Sequence, residues 1–250
     1  MSWLFQARLM AVHRTYIFET IVAPPILATI IFKMQDASSS PAQNATTTLG
    51  VAIVGMWAAT LSGAGPAMAR MRIQGILEPV VAAPTPLATA LTANAIASST
   101  VGLLSIPSTF LWVHFMLGVS MTVASPAMLL LAIVGMVLST AALGLLLSLS
   151  LVLHPRAQSV IVIFEYPVWL LIGALVPLSQ LPRWVEQASW AIAPSWSMRA
   201  SGSAITGDPH SAVSSLFTCL GIAALYLAAA IIALRWIEKK AREKATFPLR

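Results

Sequence analysis

The sequence predicts an all-α integral membrane protein with six transmembrane helices, and three observations predict it. Of the 250 residues, 58% are hydrophobic and 9% are charged, with a mean hydropathy of +0.85. A soluble domain carries roughly 45–50% apolar and about 25% charged residues, so this much apolar surface cannot hide in one water-soluble core. Six apolar runs come close to or exceed the about 20 residues that cross a bilayer's hydrocarbon: Thr15–Phe32, Thr47–Ala69, Leu91–Phe115, Ala124–Val152, Ser159–Leu178 and Ala212–Trp236. The positive charges are one-sided. With the N-terminus inside, the cytoplasmic side holds eleven of them: Arg8, Arg14, Arg70, Arg72, Arg156, Arg235, Lys239, Lys240, Arg242, Lys244 and Arg250. The outer side holds only Lys33, Arg183 and Arg199. Cytoplasmic loops collect Lys and Arg, so both termini are expected in the cytoplasm, in agreement with an even number of spans.

Residues 1–14 place Trp3, Leu4, Ala7, Met10 and Ala11 at helical spacing, with Gln6, Arg8, His13 and Arg14 as the polar members. This pattern fits an amphipathic helix in the cytoplasmic interface; the alternative is a frayed terminus. The first apolar run has no small-residue cleavage site at the usual distance, so no cleavable signal peptide is expected. The stretch from Met34 to Thr46 is rich in Ser, Pro, Ala, Asn and Thr and reads as an external loop, its Asn44-Ala45-Thr46 sequon a chance match. Pro107 interrupts the third span, which is tolerable where neighbours re-satisfy the freed carbonyl. The fourth run is long enough to tilt or to extend beyond the bilayer. Residues 237–250 form a cytoplasmic tail whose charge run from Glu238 to Lys244 fits a solvated helical extension near anionic headgroups. Cys219, the single cysteine, lies in an apolar run and reads as packing. Gly50, Gly55, Gly135, Ser139, Gly144 and Ser148 supply small faces on which helices approach closely. The net charge of +6 belongs to the membrane edges rather than to a nucleic-acid surface.

Within this uncharged chain, residues 70–86 form a polar island, RMRIQGILEPVVAAPTP. Arg70 and Arg72 suit an anchor at the lipid headgroups. Ile73, Ile76, Leu77, Val80 and Val81 recur at spacings of three and four, with Gln74 and Glu78 on the other face, and Pro84 and Pro86 close the segment. The pattern fits a short helix parallel to the membrane, either a passive interfacial helix or an element that passes force to a partner beneath it. Residues 179–209 are apolar but broken by Pro182, Pro194, Gly202, Gly207 and Pro209, with Trp184, Trp190 and Trp196 spaced by six. Two short helices dipping into the outer leaflet satisfy this pattern; an aromatic belt on an ordinary outer loop does so too. Glu165 lies about 13 Å into the fifth span, counted from Arg156 at ~1.5 Å per residue. Such a group is costly, so it lines a cavity that favours cationic or amphipathic cargo, or serves as a protonated or hydrogen-bonded packing residue near Tyr166.

The run Arg72-x-x-Gly75-x-Leu77-Glu78, followed by Ala83-Pro84, is similar to the arginine–glycine–leucine–glutamate and small-proline pattern of ABC-2-type transporter permeases. These are membrane subunits of ATP-binding-cassette exporters, including drug-resistance and polysaccharide-export systems. Gly173, Pro177, Leu181-Pro182, Trp184, Pro194 and Arg199 resemble the family's stretch around the fifth span and the following outer hairpin. One departure is Ile73, where many members carry a charge. The resemblance covers essentially the whole chain and implies a set of roles. The helix at about 70–86, between the second and third spans, would be a coupling helix seated in a separate nucleotide-binding subunit. Arg70, Arg72, Gly75, Leu77, Glu78 and Pro84 would form it, with Arg72 and Glu78 making charge-assisted contacts and Gly75 allowing close backbone approach. The segment at about 179–209 would be a re-entrant outer hairpin or gate, with Pro177, Pro182, Trp184, Pro194, Arg199 and Glu165 as pathway or gate candidates. A second permease subunit, identical or homologous, would complete the pathway, in contact with membrane lipid in a bacterial inner membrane. No phosphate-binding loop G-x-x-x-x-G-K-[ST] occurs, so ATP and Mg would be bound by the partner subunit, and no cofactor, metal or covalent chemistry is expected in this chain. The short external loops favour drugs or small amphipaths as cargo. The alternatives are a polysaccharide- or lipid-exporting permease, and a secondary transporter driven by an ion gradient.

Overall fold

The computed structural model describes residues 17–34, 39–64, 87–153, 166–176 and 178–243, and every regular element among them is helical. The elements are α1 (Ala23–Met34), α2 (Pro41–Ala64), α3 (Leu87–Gly102), α4 (Ser105–Leu117), α5 (Pro126–Leu153), α6 (residues 166–172), α7 (Arg183–Ser189), α8 (Ala193–Thr206) and α9 (Pro209–Glu243). Among the described residues four stretches are long and apolar enough to cross a membrane: Pro41–Gly63, Leu91–Leu117, Pro126–Leu147 and Pro209–Trp236. These match the expected second, third, fourth and sixth spans. The expected first and fifth spans extend outside the described residues, as do the interfacial helix of residues 1–14 and the end of the tail.

A single π-helical turn, Phe18–Val22, leads into α1, and the Ala23 N–H bonds back to the Phe18 carbonyl. The cause is the pair Pro24-Pro25. Neither proline has an N–H, and each ring crowds the carbonyl four residues before it. A turn one residue wider relieves that crowding. Both prolines are buried. α2 starts at Pro41, six residues before the expected span. Ser40 caps it, its Oγ accepting the Gln43 N–H at 3.2 Å, with proline in the first helical position where a missing donor does no harm. The expected interruption at Pro107 is real but displaced. Helix α3 ends at Gly102, the chain turns at Leu103 and Leu104, and Pro107 sits in the first turn of α4. The proline ring excludes an α-helical carbonyl at Leu103, and that carbonyl accepts the Ile106 N–H at 3.0 Å instead.

α2 is the central pillar. Of its most apolar 18 residues 72% are buried, against 17% for α9. It packs on α1, α3, α4 and α5, while α5, α8 and α9 form a second tightly packed group. The core joins them: Leu49, Ile53, Met56 and Trp57 of α2 meet Met136 and Val137 of α5, Ile172 of α6, and Met198 and Ile205 of α8. Polar side chains stitch helices where apolar contact alone gives no direction. Ser105 Oγ donates to the Ala52 carbonyl at 2.6 Å, and Trp112 Nε1 donates to Thr29 Oγ1 at 2.9 Å.

Close approach depends on absent side chains. A Cβ on Gly50 would lie 1.9 Å from the Ala174 carbonyl oxygen, and one on Gly55 would lie 2.2 Å from Pro24 Cγ. The first clash is with backbone, which cannot swing aside. Gly50→Ala is therefore expected to destabilise by ~2 kcal/mol or more, read as a fall of about 5 °C in the melting temperature of the detergent-solubilised protein. Gly221→Ala, where nothing lies within 4 Å of the added carbon, serves as the control with no shift.

Candidate functional site

The described helices bring together the segments that the charge pattern groups on one side. At the Pro41 end, Asn44 Nδ2 donates to the Ser120 carbonyl at 3.2 Å, and the Thr122 N–H reaches the Pro41 carbonyl at 3.3 Å. The Ala124 and Ser125 N–H groups bond to the carbonyls of Ile205 and Ala204 at 3.1 and 3.0 Å. The start of α2, residues 119–125 and the junction of α8 with α9 therefore share one end of the bundle. Asp208 caps α9 there, accepting the Ser211 N–H at 3.2 Å; this bond, and one from the Ser211 hydroxyl, hold its carboxyl below the usual carboxylate range.

The described residues between 173 and 206 run beside α2, α5 and α9. α6 stops at Gly173, whose φ of +73° suits a residue without Cβ, and the Gly173 and Ala174 N–H groups close the turn on Leu170 and Trp169. Ala174 lies against Gly50, nine residues past Pro41, or about 14 Å along α2. α7 follows, with Pro182 as its N-cap and the Val185 N–H bonded to the Pro182 carbonyl at 2.9 Å. α8 then returns toward the Pro41 end beside α5 and α9. Ser197 Oγ donates to the Ala132 carbonyl at 2.6 Å, and Ala193 clusters with Ala142 and Ala223. The Tyr226 hydroxyl, well down α9, donates to the Ala191 carbonyl in the α7–α8 turn. At ~1.5 Å per residue, the 14 residues of α8 place that turn about 20 Å from the end of the bundle. Nine α8 residues are buried, Pro194 among them. α8 thus packs along α5 and α9, while most of α7 is exposed.

Arg199 organises the hairpin. Its Nη2 donates to Ser189 Oγ at 2.8 Å, and Ser189 Oγ donates to the Glu186 carbonyl at 2.7 Å. The guanidinium carbon stands 4.7 Å from the centre of the Trp196 ring, a cation–π contact. Trp196 Nε1 in turn donates to the Trp190 carbonyl at 2.9 Å. One arginine thus ties the last turn of α7 to the middle of α8. Trp184 and Trp190 face outward, 68% and 52% exposed, as membrane-facing aromatics do, whereas Trp196 is committed to the hairpin's interior.

Pro182, Trp184, Pro194 and Arg199, of the candidate residues, therefore lie in one structural unit. Arg70, Arg72, Gly75, Leu77, Glu78, Pro84, Glu165 and Pro177 lie outside the described residues. Sequence reasoning passed over Glu19, in the π-helical turn, whose Oε2 accepts the Ser62 hydroxyl at 2.7 Å. Its signal was plain: an acidic residue within an apolar run, just before a double proline. It also passed over Tyr226, which an isolated phenol in an Ala- and Leu-rich helix might have flagged. Among the described residues no group of three or more His, Cys, Asp or Glu stands close enough to hold a metal ion.

Arg199→Lys keeps the charge but loses the planar stack and the forked donor geometry. It is expected to cost about 1 kcal/mol, a fall of ~2–4 °C in melting temperature, and Ser189→Ala added to it is expected to shift the midpoint by less than it does alone. Scanning fluorimetry on the four variants of this cycle measures both.

No curated protein sequence matches the chain. The family model described as "ABC-2 type transporter" matches residues 3–205, a stretch that contains α1 to α7, nearly all of α8 and the 70–86 island. The chain carries membrane-spanning helices and belongs to the ABC-2 type transporter family.

Proposed function

We propose that this chain is the permease subunit of an exporter that moves drugs or small amphipathic molecules outward, powered by ATP hydrolysed on a separate nucleotide-binding subunit. The observation that carries the reading is the family match over residues 3–205, which spans the 70–86 island and most of the hairpin. In this reading there are six spans, the end of the bundle at Ala64 faces the cytoplasm, and the coupling element of residues 70–86 follows directly from α2. Both termini are cytoplasmic and the membrane is a bacterial inner membrane. The hairpin α7–α8 enters the outer leaflet from the opposite end as a gate. Non-helical backbone at that depth is tolerable only where protein covers it, and the bonds from Tyr226 and Trp196 to the α7–α8 turn support this placement.

The mechanism follows from position. ATP binding closes the motor and displaces the coupling element through the charges of Arg72 and Glu78. The displacement enters α2, the most buried span, and passes through its core contacts to α5 and α8. A shift of α8 relative to α9 moves α7 with it, because Arg199 joins the two short helices. Two such subunits enclose the pathway and two motors drive them. Glu165 faces that pathway and favours cationic cargo.

Two experiments test this. Gentle purification of the chain is expected to bring a nucleotide-binding subunit with it, and its ATP turnover in the complex is expected to fall about tenfold on Glu78→Arg, since a reversed charge in a docking cleft is repulsive. Transport that persists without ATP and follows a proton gradient would instead establish the ion-driven alternative. In reconstituted vesicles, Glu165→Gln is expected to slow export of a cationic dye about tenfold while leaving a neutral one unchanged; equal export of both dyes by the variant and the parent removes Glu165 from the pathway.

A further inference from the structure

At the Ala64 end of α2, the bundle is held by hydrogen bonds between side chains of different helices, in a region otherwise apolar. Glu19 Oε2, in the turn before α1, accepts the Ser62 hydroxyl of α2 at 2.7 Å. One residue on, the Gly63 carbonyl accepts Asn94 Nδ2 of α3 at 3.0 Å. A turn deeper, Thr60 Oγ1 of α2 and Ser99 Oγ of α3 share a hydrogen bond at 3.1 Å, and Thr140 Oγ1 of α5 reaches Ser99 Oγ at 3.5 Å. Asn94, Thr60, Ser99 and Thr140 are all buried. The backbone is fitted to the same purpose. Gly55 leaves room for Pro24 and for the Glu19 carbonyl, which a Cβ would meet at 2.2 and 3.3 Å.

We propose that Glu19, Ser62, Asn94, Thr60 and Ser99 form a polar belt that locks the bases of α1, α2 and α3 into one rigid body, so that displacement of the segment following α2 moves three helices together. The inference rests on the proposed role of residues 70–86 as the coupling element. Its physical basis is the surroundings of the belt. Asn94 and Ser99 are buried, and an amide or hydroxyl separated from its partner there finds no water to replace it, so those bonds resist sliding more than an apolar contact does. Apolar faces exchange one neighbour for another at little cost, whereas hydrogen bonds fix register. The members act as positioning residues: they touch no cargo and transmit the stroke. In the belt Glu19 acts as a hydrogen-bond acceptor from the Ser62 hydroxyl.

The test is a distance between helices that the belt joins. Spin labels at Ile26→Cys on α1 and Thr89→Cys on α3, both exposed positions, in a Cys219→Ala background, report that distance by pulsed electron paramagnetic resonance. In the complex with its nucleotide-binding subunit, the distance is expected to be single, narrow and the same with and without trapped ATP. Ser62→Ala, Glu19→Leu and Asn94→Leu are each expected to broaden it about twofold and to make it nucleotide-dependent, whereas Glu19→Gln, which keeps an acceptor oxygen, is expected to leave it narrow. A parent distance that changes with ATP, a width unmoved by Ser62→Ala and Glu19→Leu, or a Glu19→Gln variant as broad as Glu19→Leu overturns the proposal. Should no nucleotide-binding subunit accompany the chain, the coupling reading fails, while the widths in the isolated permease still decide whether the belt holds the helices together.

Discussion

The hairpin of residues 173–206 depends on one contact, the Ala174 carbonyl resting on the bare α-carbon of Gly50. A carbonyl that leaves a helix inside a bilayer must be covered by protein, and α2 covers this one only because position 50 has no side chain. The consequence spreads outward. Ala174 is held nine residues into α2, and α7 follows from there. α8 must then climb back between α5 and α9, and the buried surface of α8 must be narrow enough to fit. Ala193, Ser197, Ala200, Ser201 and Ala204 supply that narrowness. Larger residues there would push α5 and α9 apart and separate Tyr226 from the turn it caps.

The parts legible in the sequence are those governed by hydrophobic length. Runs of apolar residues gave α2, α3–α4, α5 and α9 with boundaries off by a few residues, because the transfer cost of polar groups into hydrocarbon sums over the whole segment and local detail averages out. Boundaries went wrong where a local rule opposed the hydropathy. α2 starts at Pro41 because Ser40 and Pro41 make a good helix start, although Gln43, Asn44 and Thr46 read as loop. The Pro107 interruption was seen, but its place was not, since a proline disturbs the carbonyl four residues upstream rather than its own position. Of the candidate site, the hairpin's two short helices were legible from the spacing of prolines and tryptophans. The packing of α8 against α5 and α9 was not. Its alanines, serines and glycines resemble a flexible loop until a neighbour is present to pack against them, and that neighbour lies 51 and 65 residues away in sequence, at Ala142 and Ala132 on α5.

Glu19 shows the opposite failure. An average over an apolar window is insensitive to one acid, so the window that identified the first span also concealed its most informative residue. The structure restores it through its partner: Ser62 lies 43 residues away, a separation no periodicity reveals. The same holds for Thr60, Ser99 and Thr140, each unexceptional alone and informative only as a line across three helices.

These contacts divide the bundle unequally. α2 meets α3 along its length and is bonded to it at two levels, whereas α9 touches α3 only lightly. A cavity of about 220 Å³ lies between α3, α5 and α9, walled by residues such as Ala95, Ile96, Leu138, Leu145, Leu220 and Leu227. Side chains lining a gap forgo dispersion contacts on that side, and apart from Thr92 the lining is apolar. Sliding α9 against α3 therefore breaks few contacts, while sliding α2 against α3 breaks hydrogen bonds in a medium that offers no replacement. The path of least resistance for a displacement at the base of α2 is consequently to carry α1 and α3 with it and to yield at the α3–α9 seam, while α5 stays packed on α8 and α9. α8 is packed on both α5 and α9, so it lies where that yielding is felt, with Arg199 joining it to the exposed α7.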